Sequence, residues 1–174
     1  MKISYSSKNP EEDFAQAYEQ YADAIFRHCT FRVFNRELGK ELMQETFMKT
    51  WEYIAKGHDI DNVRAFLYKT ANNLVLNHVR RKKLRTIVSL EDMQESGFDI
   101  DGESGKEIKE DIDAKEVMRV LGTIKEPHRS LLVMRYIDEL QPVEIAKLVG
   151  GTANAVSVKL NRAVKYLRSS LQSG

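Results

Sequence analysis

The chain has 174 residues, of which 42% are hydrophobic and 30% charged, and a formal net charge of +1. That length allows one domain or two small ones with a buried core. The near-zero net charge excludes a bulk-charge argument for nucleic acid, so the distribution of charge has to carry any such argument.

With three prolines and nine glycines among many Leu, Ala, Glu, Lys and Arg, the composition predicts an all-α chain. No run reaches the roughly 18 apolar residues of a membrane span, and the N-terminus lacks the apolar core of a signal peptide. The single Cys29 cannot form an internal disulfide, which fits a reducing cytoplasm. A cytoplasmic protein is expected.

In chain order, residues 10–56 predict two helices with a break around Asn35 to Gly39. Phe14, Ala17, Tyr18, Tyr21, Ile25 and Phe26 recur at helical spacing in the first. Leu38, Leu42, Met43, Phe47, Thr50, Trp51 and Ile54 do so in the second. A polar loop, "KGHDIDN", precedes a third helix from about Val63 to Arg85. From Glu91 to Glu116, eleven acids face only Lys106, Lys109 and Lys115, with Gly97, Gly102 and Gly105 among them. Such a stretch reads as a flexible acidic linker. It divides the chain into a first helical module at 10–86, a linker at 87–113 and a second helical module at 114–174.

Four short helical segments follow. Val117, Leu121 and Ile124 mark the first, and Pro127 opens the second with Leu131, Leu132 and Met134 inside. "QPVEIAKLV" opens the third at Pro142, and Gly150-Gly151 stops it. The fourth runs from about Ala153 to Leu171 with an apolar stripe of Val156, Leu160, Ala163, Leu167 and Leu171.

Catalysis finds little support. His28, His58, His78 and His128 are scattered, and no Cys or His pair has metal-ligand spacing. In "DIDGESGKE" the glycine comes too early for a calcium loop, and "GESGK" is too short for a phosphate-cradling loop. No enzyme activity, cofactor or metal is expected.

Binding finds more. "EIAKLVGGTANAVSVKLNRAVKYL" places a short helix, a glycine turn and a longer helix, the pattern of a helix-turn-helix whose second helix enters a DNA major groove. On the third helix, Leu67, Ala71, Leu74 and His78 form one buried stripe at 100° per residue. Phe66, Thr70, Asn73, Asn77, Arg80, Arg81 and Leu84 form another, free of acids. Carboxamides hydrogen-bond base edges, an aromatic stacks on an unpaired base, and arginines pair with phosphates. The ordinary alternative for such a stripe is a solvated face. The second helix carries much apolar bulk in "ELMQETFMKTWEYI", which reads first as core and second as a partner surface.

Together these segments resemble a bacterial RNA polymerase sigma factor of the two-domain extracytoplasmic-function class. "ELMQETFMKTWEYI" is similar to the family's "DLVQETFLRLW", which binds the clamp coiled coil of core polymerase. "NVRAFLYKTANNLVLNHVRRKK" is similar to "FRAWLYRIARNLAIDHLRRRR", which melts and reads the −10 promoter element. "EIAKLVGGTANAVSVKLNRAVKYLR" is similar to "EIAEILGISEGTVKSRLHRARKRLR", which reads the −35 element. The resemblance covers residues 12–85 and 114–171 in the right order around a linker.

It implies a set of site residues. Leu42, Gln44, Glu45, Phe47, Met48 and Trp51 would lie at or beneath the polymerase-binding face. Phe66, Lys69, Asn73, Asn77, Arg80, Arg81 and Lys82 would meet the −10 element, with His58, Asp61 and Asn62 in the loop that holds a flipped base. Thr152, Asn154, Ser157, Val158, Lys159, Asn161, Arg162 and Lys165 would meet the −35 element. Implied partners are core RNA polymerase (clamp coiled coil and flap), promoter DNA and an anti-sigma factor, with no membrane insertion by the chain itself.

The chain departs from the family at Phe66 for tryptophan and Asn77 for aspartate. In the recognition helix Ala155, Ser157 and Lys159 replace Thr, Lys and Arg. Gln141 replaces the capping Ser, a poorer cap. The alternative from another class is a stand-alone helix-turn-helix regulator whose first module senses a ligand or binds a partner.

Overall fold

The computed structural model describes residues 9–88 and 110–172, and their regular structure is helical throughout. The all-α expectation holds. Helix α1 (Pro10–Val33) opens on Pro10, with Glu11, Glu12 and Asp13 in a first turn that suits the positive end of the helix dipole. Helix α2 (Arg36–Ala55) is capped by Asn35, whose Oδ1 accepts from Leu38 N–H at 2.9 Å. Helix α3 (Val63–Val88) starts where Asn62 Oδ1 accepts from Ala65 N–H at 3.0 Å.

The expected break at Asn35 to Gly39 is shorter than the sequence suggests. Gly39 lies inside α2 and is buried. A Cβ there would overlap Thr30 Oγ1 and stand 2.8 Å from Thr30 Cα, so the glycine permits the close crossing of α1 and α2 rather than a turn.

These three helices pack on one another around Ile25, Leu42, Met43, Phe47, Leu67, Ala71 and Val75. Two buried hydroxyls return to their own helix: Thr46 Oγ1 donates to the Leu42 carbonyl at 2.7 Å and Thr50 Oγ1 to the Thr46 carbonyl at 2.8 Å. That is how threonine sits in an apolar core without an unsatisfied polar atom.

Helix α4 (Glu110–Gly122) begins four residues before the expected module boundary at 114, and α3 runs two residues past 86. The remainder of the expected linker lies outside the described residues. Helix α5 (His128–Leu132) continues into a π turn over Val133–Ile137. Helix α6 (Pro142–Val149) follows. Gln141 is not the weak point its side chain suggested, because Glu144 Oε2 reaches back to accept from the Gln141 backbone N–H at 2.7 Å. Gly150 and Gly151, at φ of +84° and +95°, turn the chain into helix α7 (Ala153–Gln172). Thr152 caps α7 by accepting from Ala155 N–H at 3.1 Å. Val156, Leu160 and Ala163 are buried as expected, whereas Leu171 is exposed because the end of α7 runs past the core.

The two helix groups share a core. Met134, Leu140 and Ile145 of the second cluster with Ile25, Leu67 and Ala71 of the first. Phe31 at the end of α1 packs with Leu121, Ile124 and Leu132. Polar ties cross the same seam. His28 Nδ1 donates to Asp138 Oδ2 at 2.6 Å, Arg64 Nη1 to Glu144 Oε1 at 2.6 Å, and Asn72 Nδ2 to the Leu148 carbonyl at 3.4 Å.

Candidate polymerase and nucleic-acid interfaces

Three faces carry the residues singled out from sequence. The first is the outer side of α2. Leu42 and Phe47 are buried and touch solvent hardly at all, so they shape this face from beneath. Phe47 supports it through ring contacts with Phe14 and Tyr18, at centroid distances of 6.1 and 4.8 Å. Trp51, half-buried, leans on Phe14 at 5.1 Å. Gln44 and Met48 are what a partner would meet, Met48 being 57% exposed. Beside them Glu45 pairs with Lys49 at 3.8 Å. An exposed methionine over an aromatic floor, rimmed by charge, has the make-up of a protein-docking patch.

The second face follows α3 from its first turn to its end. Lys69, Asn73, Asn77, Arg80, Arg81 and Lys82 are exposed, with Phe66 and Thr70 half-buried at its start. None of these cations has an ion-pair partner among the described residues. Their charge stands free for phosphate. The stripe is therefore distinct from the buried one, in which Leu67 and Ala71 are fully covered and Leu74 and His78 half-covered.

The loop before α3 closes against this stripe. Ile60 is buried and anchors it, and Gly57 at φ +83° makes its turn. His58 stacks on Tyr53 at 4.5 Å, and Tyr53 in turn lies 4.9 Å from Phe66. Three rings thus stand together at the head of the stripe. Sequence reading named His58 and Phe66 but missed Tyr53 and Ile60, since only the return of the loop brings α2 and α3 together there. Asp61 is exposed, while the Asn62 side chain is occupied as the α3 cap.

The third face is α7. Asn154, Ala155, Val158, Lys159, Asn161, Arg162 and Lys165 are exposed on the side away from Val156 and Leu160. Ser157 is a partial exception: half-buried, its Oγ donates to the Ala153 carbonyl at 3.0 Å. Thr152 is likewise engaged in capping. The free polar reach of this face therefore comes from Asn154, Lys159, Asn161, Arg162 and Lys165.

Three buried groups are perturbed near the seam, Cys29, Arg32 and Tyr68, the last with its phenol raised by burial. Burial pushes the Cys29 thiol up to about 12, against a smaller opposing pull from Arg32. Burial also lowers the Arg32 guanidinium from its ordinary value, while Arg32 Nη1 donates to Asn72 Oδ1 at 3.1 Å. All three are buried away from the three faces. No cluster of His, Cys, Asp and Glu suited to a metal occurs among the described residues, and none of the described helices is long and apolar enough to cross a membrane.

Known proteins resemble this chain along most of its length. The family model for sigma-70 region 2 matches residues 17–85. The chain is 26% identical to RNA polymerase sigma factor YlaC of Bacillus subtilis, over 88% of this chain and 89% of that protein. It is 23% identical to ECF RNA polymerase sigma factor SigW of the same organism, over 98% of this chain and 95% of that one. Among solved structures, the sigma factor RpoE of Bartonella quintana, crystallised with the anti-sigma factor NepR, superposes with a TM-score of 0.71. That match is 17% identical and covers 92% of this chain and 98% of RpoE.

Proposed function

We infer that this chain, which belongs to the extracytoplasmic-function class of bacterial RNA polymerase sigma factors, directs core RNA polymerase to promoters by reading their −35 and −10 elements. The observation that carries the residue assignment is the α3 stripe. Exposed carboxamides at Asn73 and Asn77 lie between an aromatic cluster and cations at Arg80, Arg81 and Lys82 that have no ion-pair partner among the described residues. Unpaired bases stack on rings and present their edges to amides, while the backbone tracks cations. The α7 face would position the complex on −35 duplex through Arg162 and its neighbours. Gln44 and Met48 would meet the polymerase clamp.

The action is binding without chemistry of its own, in the cytoplasm where the polymerase works. The stand-alone regulator leaves the α3 stripe without a role. An inhibitor of the anti-sigma kind is a further proposed partner, supported by the NepR-bound relative.

Reconstitution with core polymerase and genomic fragments, scored by mapping transcription starts, tests the reading. Discrete start sites that depend on the chain are expected. In the same assay Asn73→Ala should lower open-complex formation about tenfold or more while leaving duplex binding within about twofold, the cost of losing one base-edge contact. Equal losses in both would remove Asn73 from strand reading.

A further inference from the structure

We propose that α7 selects its −35 element through the 5-methyl group of a thymine, held against Val158 in the major groove. The assignment rests on the sigma-factor reading and narrows it to one kind of base pair.

Helix geometry puts Val158 at the middle of the α7 face. Val156 and Leu160, on either side of it in sequence, are buried where α7 packs on α5 and α6. At ~100° per residue, Val158 stands about 160° round the helix from both of them. It is 44% exposed. Asn154, Val158, Asn161 and Lys165 follow at intervals of four, three and four residues, all of them exposed. Those intervals make one straight stripe along the helix, with Val158 between two carboxamides.

Charge says what this face meets. From Ala153 to Gln172 the helix carries no acid, against Lys159, Arg162, Lys165 and Arg168. None of these cations has an ion-pair partner among the described residues. A cationic face without acids complements a phosphate backbone, and the second helix of a helix-turn-helix lays its early residues on base edges. Exposure alone does not single out Val158, since Val143 and Val149 of α6 are at least as exposed. Its central place on an acid-free recognition helix does.

Base chemistry then names the contact. In the major groove adenine, guanine and cytosine offer donors and acceptors, and thymine alone adds a methyl group. A valine pressed on a polar edge leaves that edge without its water and without a partner. Against the thymine methyl it buries apolar surface on both sides. Asn154 and Asn161 stand about 6 and 4.5 Å along the axis from Val158, within about two base-pair steps of ~3.4 Å. They can therefore take the polar edges of neighbouring pairs. Thr152 and Ser157 bring no competing hydroxyl, because one caps the helix and the other donates to the Ala153 carbonyl.

The test uses holoenzyme rebuilt from core polymerase and the full chain, on promoter fragments recovered by mapping transcription starts. Each thymine of the −35 element, on either strand, is replaced singly by deoxyuridine, which removes only the methyl group. Wild-type holoenzyme is expected to lose about three- to fivefold in fragment affinity at one such position, the worth of one buried methyl. Val158→Ala should bind the thymine fragment more weakly and no longer distinguish it from the deoxyuridine fragment. Val158→Ile should keep the preference. Because Val158 lies at the surface, both variants should melt with wild type.

Chain-dependent starts without any deoxyuridine-sensitive position overturn the thymine contact and leave the sigma-factor reading standing. Equal weakening of thymine and deoxyuridine fragments by Val158→Ala also overturns it, and would put Val158 against a protein surface instead. Absence of every chain-dependent start overturns the sigma-factor reading, and the thymine contact with it.

Discussion

Asn72 and Asn73 are neighbours in sequence with opposite circumstances. Asn73 is exposed on the stripe assigned to the opened strand, whereas Asn72 is buried between Arg32 and the Leu148 carbonyl. A 100° step around a helix decides which carboxamide meets solvent, and the spacing from Leu67 and Ala71 is enough to put Asn73 on the exposed side. The partners of Asn72 come from sequence positions 40 and 76 residues away, which no local pattern reports. The same holds for His28, one of four scattered histidines in the sequence and the buried partner of Asp138 in the fold.

Cys29 gives a test at this scale. Its thiol is neutral in the folded chain up to about pH 12, but in the unfolded chain only to its ordinary value of 9.0. The contribution is fully present below pH 9 and is lost between 9 and 12, because the unfolded state ionises first; Tyr68, also raised by burial, acts in the same direction. Urea unfolding should show stability falling by about 2 kcal/mol from pH 8 to pH 10.5 on account of Cys29. Cys29→Ala should lessen that fall, and an equally steep fall in the variant would contradict the assignment.

At the scale of elements, periodicity found α1, α2, α3 and α7 because each buries one stripe and exposes another. It misjudged Gly39, since a glycine near an expected break looks like a turn until the neighbouring helix is seen to need its missing Cβ. Gly39→Ala gains up to about 1 kcal/mol of helix propensity but forces a methyl against Thr30 backbone atoms at 2.8 and 2.9 Å. A net loss of about 1–3 kcal/mol is expected, seen as a melting temperature several degrees lower. An unchanged or raised melting point would mean that α1 and α2 can part freely. The π turn has no signature in the local residue pattern, and its Met134, with Asp138 just after it, packs against the first group.

At the scale of the molecule, the three candidate faces belong to three different helices, α2, α3 and α7, and each carries too few free cations to hold DNA tightly alone. With a net charge of +1, the chain without polymerase should bind a promoter duplex only in the micromolar range or weaker at about 0.15 M salt, as non-specific binders do. Core polymerase should bring binding into the nanomolar range. Tight, sequence-selective duplex binding by the chain alone would instead favour the stand-alone regulator.

The helical class, the helix-turn-helix, the order of the three segments and the exposed stripe of α3 are legible in the amino-acid sequence. All of these follow from spacing within a single helix or across one turn, where burial repeats with the helical period. The folded chain alone reveals that the two groups share a core, that Tyr53 completes an aromatic cluster with His58 and Phe66, and that His28, Arg64 and Asn72 meet Asp138, Glu144 and Leu148. The last three pairings join residues 76 to 110 positions apart. Contacts at that separation depend on how whole helices dock, a choice made by the shape and polarity of two surfaces that no single segment contains.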